Sequence, residues 1–250
     1  MVKNKSMIRL ICIILFLNIL IFICILLYKG IVQINHPSTE EYPIIGVDVS
    51  SYQGDINWKI LCQQNISFAY IKATEGSSYI DRKYYENYSN AIQTDLFVGA
   101  YHFFSFESTG EAQAANFCNV VEKTNLLLPS VIDVELYGDN KVDTIDTIEI
   151  RKNIRDMVDI LEANYGVKPI LYVDSVSYEN IIKGYFDDCD LWYRSVYSAI
   201  PDSIEWTFWQ YSNRHRLKGY SGNEEYIDMN VYNGSEDKFK MFIDEGKNNL

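Results

Sequence analysis

The 250-residue chain reads as an α/β protein, a single irregular (β/α)8-type barrel preceded by an N-terminal transmembrane helix. Three observations predict this class. Short apolar, β-branched runs recur between residues 44 and 231. Helical stretches separate most of them, which argues for a parallel sheet wrapped by helices. An apolar run at 10–28, broken only by Asn18, lies ahead of them all.

Strands are expected at 44–49, 66–71, 97–104, 130–134, 169–173, 191–193, 207–211 and 226–231. Several are nearly continuous apolar runs, as strands covered on both faces would be. Eight such runs in about 200 residues suit a closed barrel. The last strands have little helix between them, so the barrel should be irregular. Helices are expected at 56–64, 82–94, 109–123 and 144–165. The last of these sets Ile148, Ile154, Val158 and Leu161 at helical spacing. Asp143 or Thr144 can cap its start, and Gly166 can end it before Pro169.

The N-terminal run would rise roughly 28 Å as a helix, close to the hydrocarbon thickness of a bilayer. Lys3, Lys5 and Arg9 precede or open it, which favours a cytoplasmic N-terminus. The division expected is a cytoplasmic stub and membrane anchor at 1–30, a linker at 31–43 with two prolines, and a barrel at 44–243. A cleaved signal peptide is the alternative, although no small-residue cleavage site follows the run. Either reading puts the barrel outside the cytoplasm. The first 39 residues hold four of the 22 basic residues and none of the 34 acidic ones, so the rest is more acidic than the net charge of −12. Such a domain repels phosphate backbones, and nucleic acid is not an expected partner. Cys62, Cys118 and Cys189 are an odd number without metal-site spacing, which fits neither a disulfide scaffold nor a zinc centre.

Polar residues gather at the expected C-terminal ends of the strands. Asp48 and Ser50 follow the first, and Lys72, Thr74 and Glu75 the second. Tyr101 and His102 lie on the third, Asp133 and Glu135 end the fourth, Tyr172 the fifth, Gln210 the seventh and Asp228 the eighth. Barrels of this type build their active sites at that face. Asp133-Val134-Glu135 is the central signal. Residues two apart on a strand share a face, about 6.6–6.8 Å apart along it. Like charges in a cleft raise one pKa, so one carboxyl can keep its proton near neutral pH, as protonation of a glycosidic oxygen requires. His102 reads equally as a core histidine or a site residue. Lys72 and Glu75 read as a surface pair, and of Trp209 and Tyr211 at least one must be structural.

The ordered motifs resemble glycoside hydrolase family 25, the N,O-diacetylmuramidases or Chalaropsis-type lysozymes. They are Gly46-Val47-Asp48-Val49-Ser50, Gln53-Gly54-Asp55-Ile56-Asn57-Trp58, Phe68-Ala69-Tyr70-Ile71-Lys72-Ala73-Thr74-Glu75-Gly76, Gly99-Ala100-Tyr101-His102-Phe103, Asp133-Val134-Glu135, Phe208-Trp209-Gln210-Tyr211 and Ile227-Asp228-Met229-Asn230. The resemblance implies hydrolysis of the β-1,4 bond from N-acetylmuramic acid to N-acetylglucosamine in peptidoglycan glycan strands, with no metal or organic cofactor. It implies Glu135 as the acid and Asp133 as nucleophile or as the group orienting the substrate's acetamido arm. Asp48 and Asp228 support them, and Tyr101, Tyr172, Trp192 and Gln210 are the expected substrate-binding residues. A chitinase-like hydrolase and an inactive peptidoglycan-binding module are the rival readings. The chain departs from the family where Trp-x-Ala-x-Tyr is usual on the sixth strand. Here Trp192-Tyr193-Arg194-Ser195-Val196-Tyr197 puts Arg194 in the place of the alanine.

Overall fold

The computed structural model describes residues 2–32, 34–123, 127–138 and 140–248. It divides into residues 1–34 and residues 35–250. In the first unit, α1 (Val2–Tyr28) is one uninterrupted helix. Its stretch Met7–Tyr28 is 22 residues long and apolar enough to cross a membrane.

The second unit holds β1 (Ile45–Val49), β2 (Phe68–Glu75), β3 (Tyr79–Ile80), β4 (Phe97–Phe103), β5 (Val131–Val134), β6 (Ile170–Val173), β7 (Leu191–Arg194), β8 (Phe208–His215) and β9 (Ile227–Tyr232). The sheet order is β1-β9-β8-β7-β6-β5-β4-β2-β3, and a β1–β2 pairing closes eight of these strands into a barrel. The ninth, β3, is a short hairpin partner that prolongs β2. Pairings from β1 through β8 around the barrel are parallel. The closing strand β9 runs antiparallel to both β8 and β1. Asp228 therefore stands near the N-terminal end of its strand, not the C-terminal end expected, and the reversed direction is what returns it to the same face as the other strand ends.

Helices α2 (Trp58–Cys62), α3 (Tyr84–Ala91), α4 (Gly110–Val120) and α5 (Thr147–Tyr165) cover the outside. α6 (Ser175–Ser177) runs straight into a π-helical turn, Tyr178–Ile182. Helix α5 starts later than its sequence pattern implies. Thr144 is spent in a turn with Lys141, and the Asp146 carboxylate caps the helix through the Ile148 and Glu149 amides. Gly166, left-handed at φ 78°, ends it as expected. Residues 35–43, read as linker, are packed on the barrel. The buried Asn35 amide donates to the Ser195 and Ser198 carbonyls, and the Tyr42 ring lies 5.6 Å from Trp206.

Alternation along each strand makes two cores. Outward side chains such as Val47, Ala69, Ile71, Val98 and Ile132 pack under the helices. Inward ones, Phe68, Tyr70, Val131, Ile170, Trp192, Phe208 and Tyr232, fill the lower barrel with aromatic rings. The Tyr70 and Trp192 rings are 4.9 Å apart and those of Phe68 and Phe208 5.1 Å apart. Helix α7 (Glu236–Asn248) plugs this end with Phe239 and Ile243. Two strand glycines make room for the rings: a Cβ on Gly46 would overlap the Phe68 ring, and one on Gly99 the Tyr70 ring. Gly46→Ala and Gly99→Ala are each expected to destabilise the fold by roughly 1–3 kcal/mol through overpacking, checked by denaturant unfolding of the purified variants.

Candidate active site

Above the aromatic floor, the inward positions turn polar. Asp48 of β1 sits opposite Asp228 of β9 in the strand register, and Gln210 sits opposite Asn230. Both amides are turned on Asp48: its Oδ2 accepts from Gln210 Nε2 at 3.0 Å and from Asn230 Nδ2 at 2.8 Å. Each amide is held by an aromatic donor from the layer below. Trp192 Nε1 donates to Asn230 Oδ1 at 2.9 Å, and the Tyr172 hydroxyl to Gln210 Oε1 at 2.9 Å. An indole N–H can only donate, so it fixes which end of Asn230 faces Asp48. Asp228 is the direct cross-strand neighbour of Asp48. Burial raises the pKa of both acids, and the Asp48 charge raises Asp228 well above the usual range. With the amide donors on Asp48, the charge of the pair rests there and the proton on Asp228.

Across the mouth, Asp133 ends β5 beside Tyr172, and Glu135 follows just beyond the strand. Asp133 is 8% exposed, and its Oδ1 is buried without a hydrogen-bond partner among the described residues. Burial first, then the neighbouring Glu135 charge, push Asp133 well above the carboxylate range, against the pull of Lys72. Burial also drives Glu135 up to about 7, with Arg194 pulling it down and the Asp174 and Asp48 charges pushing it up. Burial is the leading cause at both carboxyls.

The expected site residues divide by depth. Asp48, Asp133, Glu135 and Asp228 meet at one mouth, joined by Tyr101, whose hydroxyl feels the Asp48, Asp133 and Asp228 charges. Trp192, expected to bind substrate, is 1% exposed beneath this ring, packed on Tyr70, Tyr172 and Phe208. Its place is to hold Asn230. Gln210 and Tyr172 are also buried and committed to each other. His102 is a buried core histidine. The Ser105 amide donates to Gln113 Oε1, so His102 Nε2 donates there too at 3.0 Å, and Nδ1 accepts from Thr74 at 2.7 Å. Burial holds its pKa down at about 4 and keeps it neutral. Ser50 and Gln53 form a capping box around the 3-10 turn Ser51–Gln53. Lys72 is more enclosed than a surface pair would be, 2.6 Å from Glu75 and over the Phe103 ring at 4.7 Å. Trp209 and Tyr211 both face outward into the helix-side core. Arg194 and Asn230 are the members of the site that the sequence did not single out for a role. Arg194 stood out only as a departure, and Asn230 only as the last residue of a motif.

The raised pKa of Glu135 has a consequence for stability. Between its ordinary value of 4.5 and about 7, the folded chain holds a proton that the unfolded chain has lost. Stability from this group is therefore full at low pH and is lost as pH rises through about 7. Glu135→Gln should unfold at a higher temperature than the parent at about pH 8, by up to about 3 kcal/mol of stability, and match it near pH 4. Calorimetric scans across that window check the difference.

Comparison with known proteins agrees with this architecture. The profile of Glycosyl hydrolases family 25 matches residues 47–220. Lysozyme M1 of Streptomyces globisporus is 34% identical over 209 residues, covering 76% of this chain and 68% of that protein. Among solved structures, a family 25 glycosyl hydrolase from Bacillus anthracis superposes with a TM-score of 0.78 at 46% identity, over 84% of this chain and 97% of its own. A lysozyme from Streptomyces coelicolor follows at 0.72 and 31% identity, over 81% and 98%. A profile match across most of the barrel, with relatives this similar over most of their own length, makes the chain a glycoside hydrolase belonging to glycosyl hydrolase family 25.

Proposed function

We propose that the protein is a muramidase that hydrolyses the β-1,4 bond between N-acetylmuramic acid and N-acetylglucosamine in peptidoglycan. The observation that carries the reading is the pair at the end of β5. Glu135 is a carboxyl kept protonatable near neutral pH, and Asp133 beside it has an oxygen without a partner. In this mechanism Glu135 gives its proton to the glycosidic oxygen as the C1–O bond breaks. Asp133 Oδ1 accepts from the substrate's acetamido N–H and turns the acetamido oxygen onto C1. The resulting cyclic intermediate is opened by water, whose proton returns to Glu135. An acetamido N–H would satisfy the orphaned oxygen, and this favours orientation over direct attack by Asp133. Asp48 and Asp228 line the opposite wall and Tyr101 stands on the strand next to Asp133, where sugar hydroxyls would bond.

The anchor reading belongs here too. Met7–Tyr28 would span a bilayer with the N-terminus inside, leaving the barrel on the wall side. A cleaved signal peptide gives the same side of the membrane without the tether. Protease treatment of protoplasts with N-terminal sequencing separates the two: full-length protein in the membrane fraction, shaved from outside, supports the anchor, and soluble protein beginning after Tyr28 overturns it.

Activity is tested by release of reducing ends from purified peptidoglycan with mass analysis of the products; ends on N-acetylglucosamine instead of N-acetylmuramic acid would refute the bond assignment. Glu135→Gln, which cannot supply the proton, should lower turnover by roughly 10²–10⁴-fold with the fold intact. Asp133→Asn should also cripple turnover. The alkaline limb of kcat/KM should fall near pH 7, where free Glu135 loses its proton. A wild-type rate unchanged to about pH 9 would remove Glu135 from the role of acid.

A further inference from the structure

Arg194 occupies an inward position at the end of β7, opposite Gln210 in the register. Its side chain is 29% exposed, and its Nε lies 3.9 Å from Glu135 Oε1, the outer limit of an ion pair. A guanidinium carries five N–H donors in a planar fork. Among the described residues, those of Arg194 make no hydrogen bond, whereas Arg151 and Arg155 spend theirs on backbone carbonyls and on Asp188. The other cation at the mouth, Lys72, is already committed to Glu75 at 2.6 Å. The mouth thus contains one positively charged fork that is enclosed, held beside the acid, and unspent. Around it stand Asp48, Asp133, Glu135, Asp174 and Asp228, which would repel any anion that lacked a partner.

We propose that Arg194 is a specificity residue that takes a carboxylate on the lactyl arm of the muramic acid sugar. The inference rests on the muramidase reading above. The carboxylate is either the lactyl group's own, on strands stripped of peptide, or the first carboxylate of an attached stem peptide. Arg–carboxylate pairing is bidentate, which gives both energy and direction. The arm sits on the same sugar whose C1–O bond breaks as Glu135 protonates the glycosidic oxygen. A neutral sugar offers the fork only hydroxyl and acetamido oxygens, weaker acceptors than a carboxylate, so the residue favours muramic acid over N-acetylglucosamine at this position.

Occupation of Arg194 also acts on the acid. The empty guanidinium is the positive neighbour of Glu135, which is otherwise faced by Asp133, Asp174, Asp48, Asp228 and Tyr172. A substrate carboxylate that neutralises the fork withdraws that counterion and favours the protonated carboxyl. Binding an anionic sugar would then help to keep the proton on Glu135 until the bond breaks.

The test uses full-length protein in detergent and three glycan strands: stem-bearing, amidase-stripped with free lactyl carboxylates, and stripped with those carboxylates converted to methylamides. Arg194→Gln and Arg194→Lys are compared with the parent after melting curves establish that they fold. For Arg194→Gln, kcat/KM should fall about 10- to 100-fold on a carboxylate strand, mainly through KM, and markedly less on the methylamide strand. Arg194→Lys should recover part of the loss. A loss confined to stripped strands assigns the lactyl carboxylate, and a loss confined to stem-bearing strands assigns the peptide's. In the parent, the alkaline limb of kcat should lie further above that of kcat/KM on carboxylate strands than on methylamide strands. An equal loss on charged and methylamide strands, or no loss, overturns the proposal. A parent enzyme that releases no reducing ends from any strand overturns the substrate reading instead.

Discussion

Drawing carboxylates together in a half-dry mouth costs free energy, and the barrel meets that cost first at Asp48. Two amides converge on this one side chain, with Asp228 as its cross-strand neighbour. Its charge is tolerable because Gln210 and Asn230 are themselves locked in place by Tyr172 and Trp192. The aromatic floor below is therefore more than filling. It fixes the rotamers of the groups that hold the charge, and its own packing runs down through Phe208 and Tyr232 to the α7 plug. Loosening the lower barrel would loosen the polar layer above it.

The other side of the mouth is built on the opposite principle. Asp48 accepts from two amide donors, whereas among the described residues Asp133 retains an oxygen without a partner and Glu135 has a long contact to Arg194. Similar chemical groups thus acquire different roles from their surroundings. The donor-held side is suited to holding a charge steadily, and the other side to exchanging protons and accepting a ligand.

Much of the fold was legible because closed barrels advertise themselves through alternation. Asp133 and Glu135 could be placed on one face from spacing alone, and Gly166 could be read as a helix end. The direction of β9 was not legible, because a two-residue period reads the same in both directions; only its pairing with β1 shows that Asp228 enters from the start of the strand. Depth was not legible either. Tyr172, Trp192 and Gln210 are the residue types that bind sugars, and they are also the types that can close a buried hydrogen-bond network. Which use they serve depends on register across four strands. The cap at Asp146 was missed because several capping residues precede α5 and only the local turn selects among them. Arg194 was visible only as a breach of pattern, since a sequence does not reveal whether a charged side chain has found a partner.

The closure of the barrel also sets a temporal order. Asp48 lies in the first strand, while the amides that hold it come from Gln210 and Asn230, 162 and 182 residues later. A chain emerging from its N-terminus carries Asp133 and Glu135 long before β8 and β9 exist to close the ring. Until those strands arrive, the opposite wall of the cleft is missing and the aromatic floor is open. The last two strands thus serve as a completion check: the intact mouth forms only once nearly the whole domain has been delivered, and a fragment ending before β8 would carry the acidic pair without the cleft that positions it.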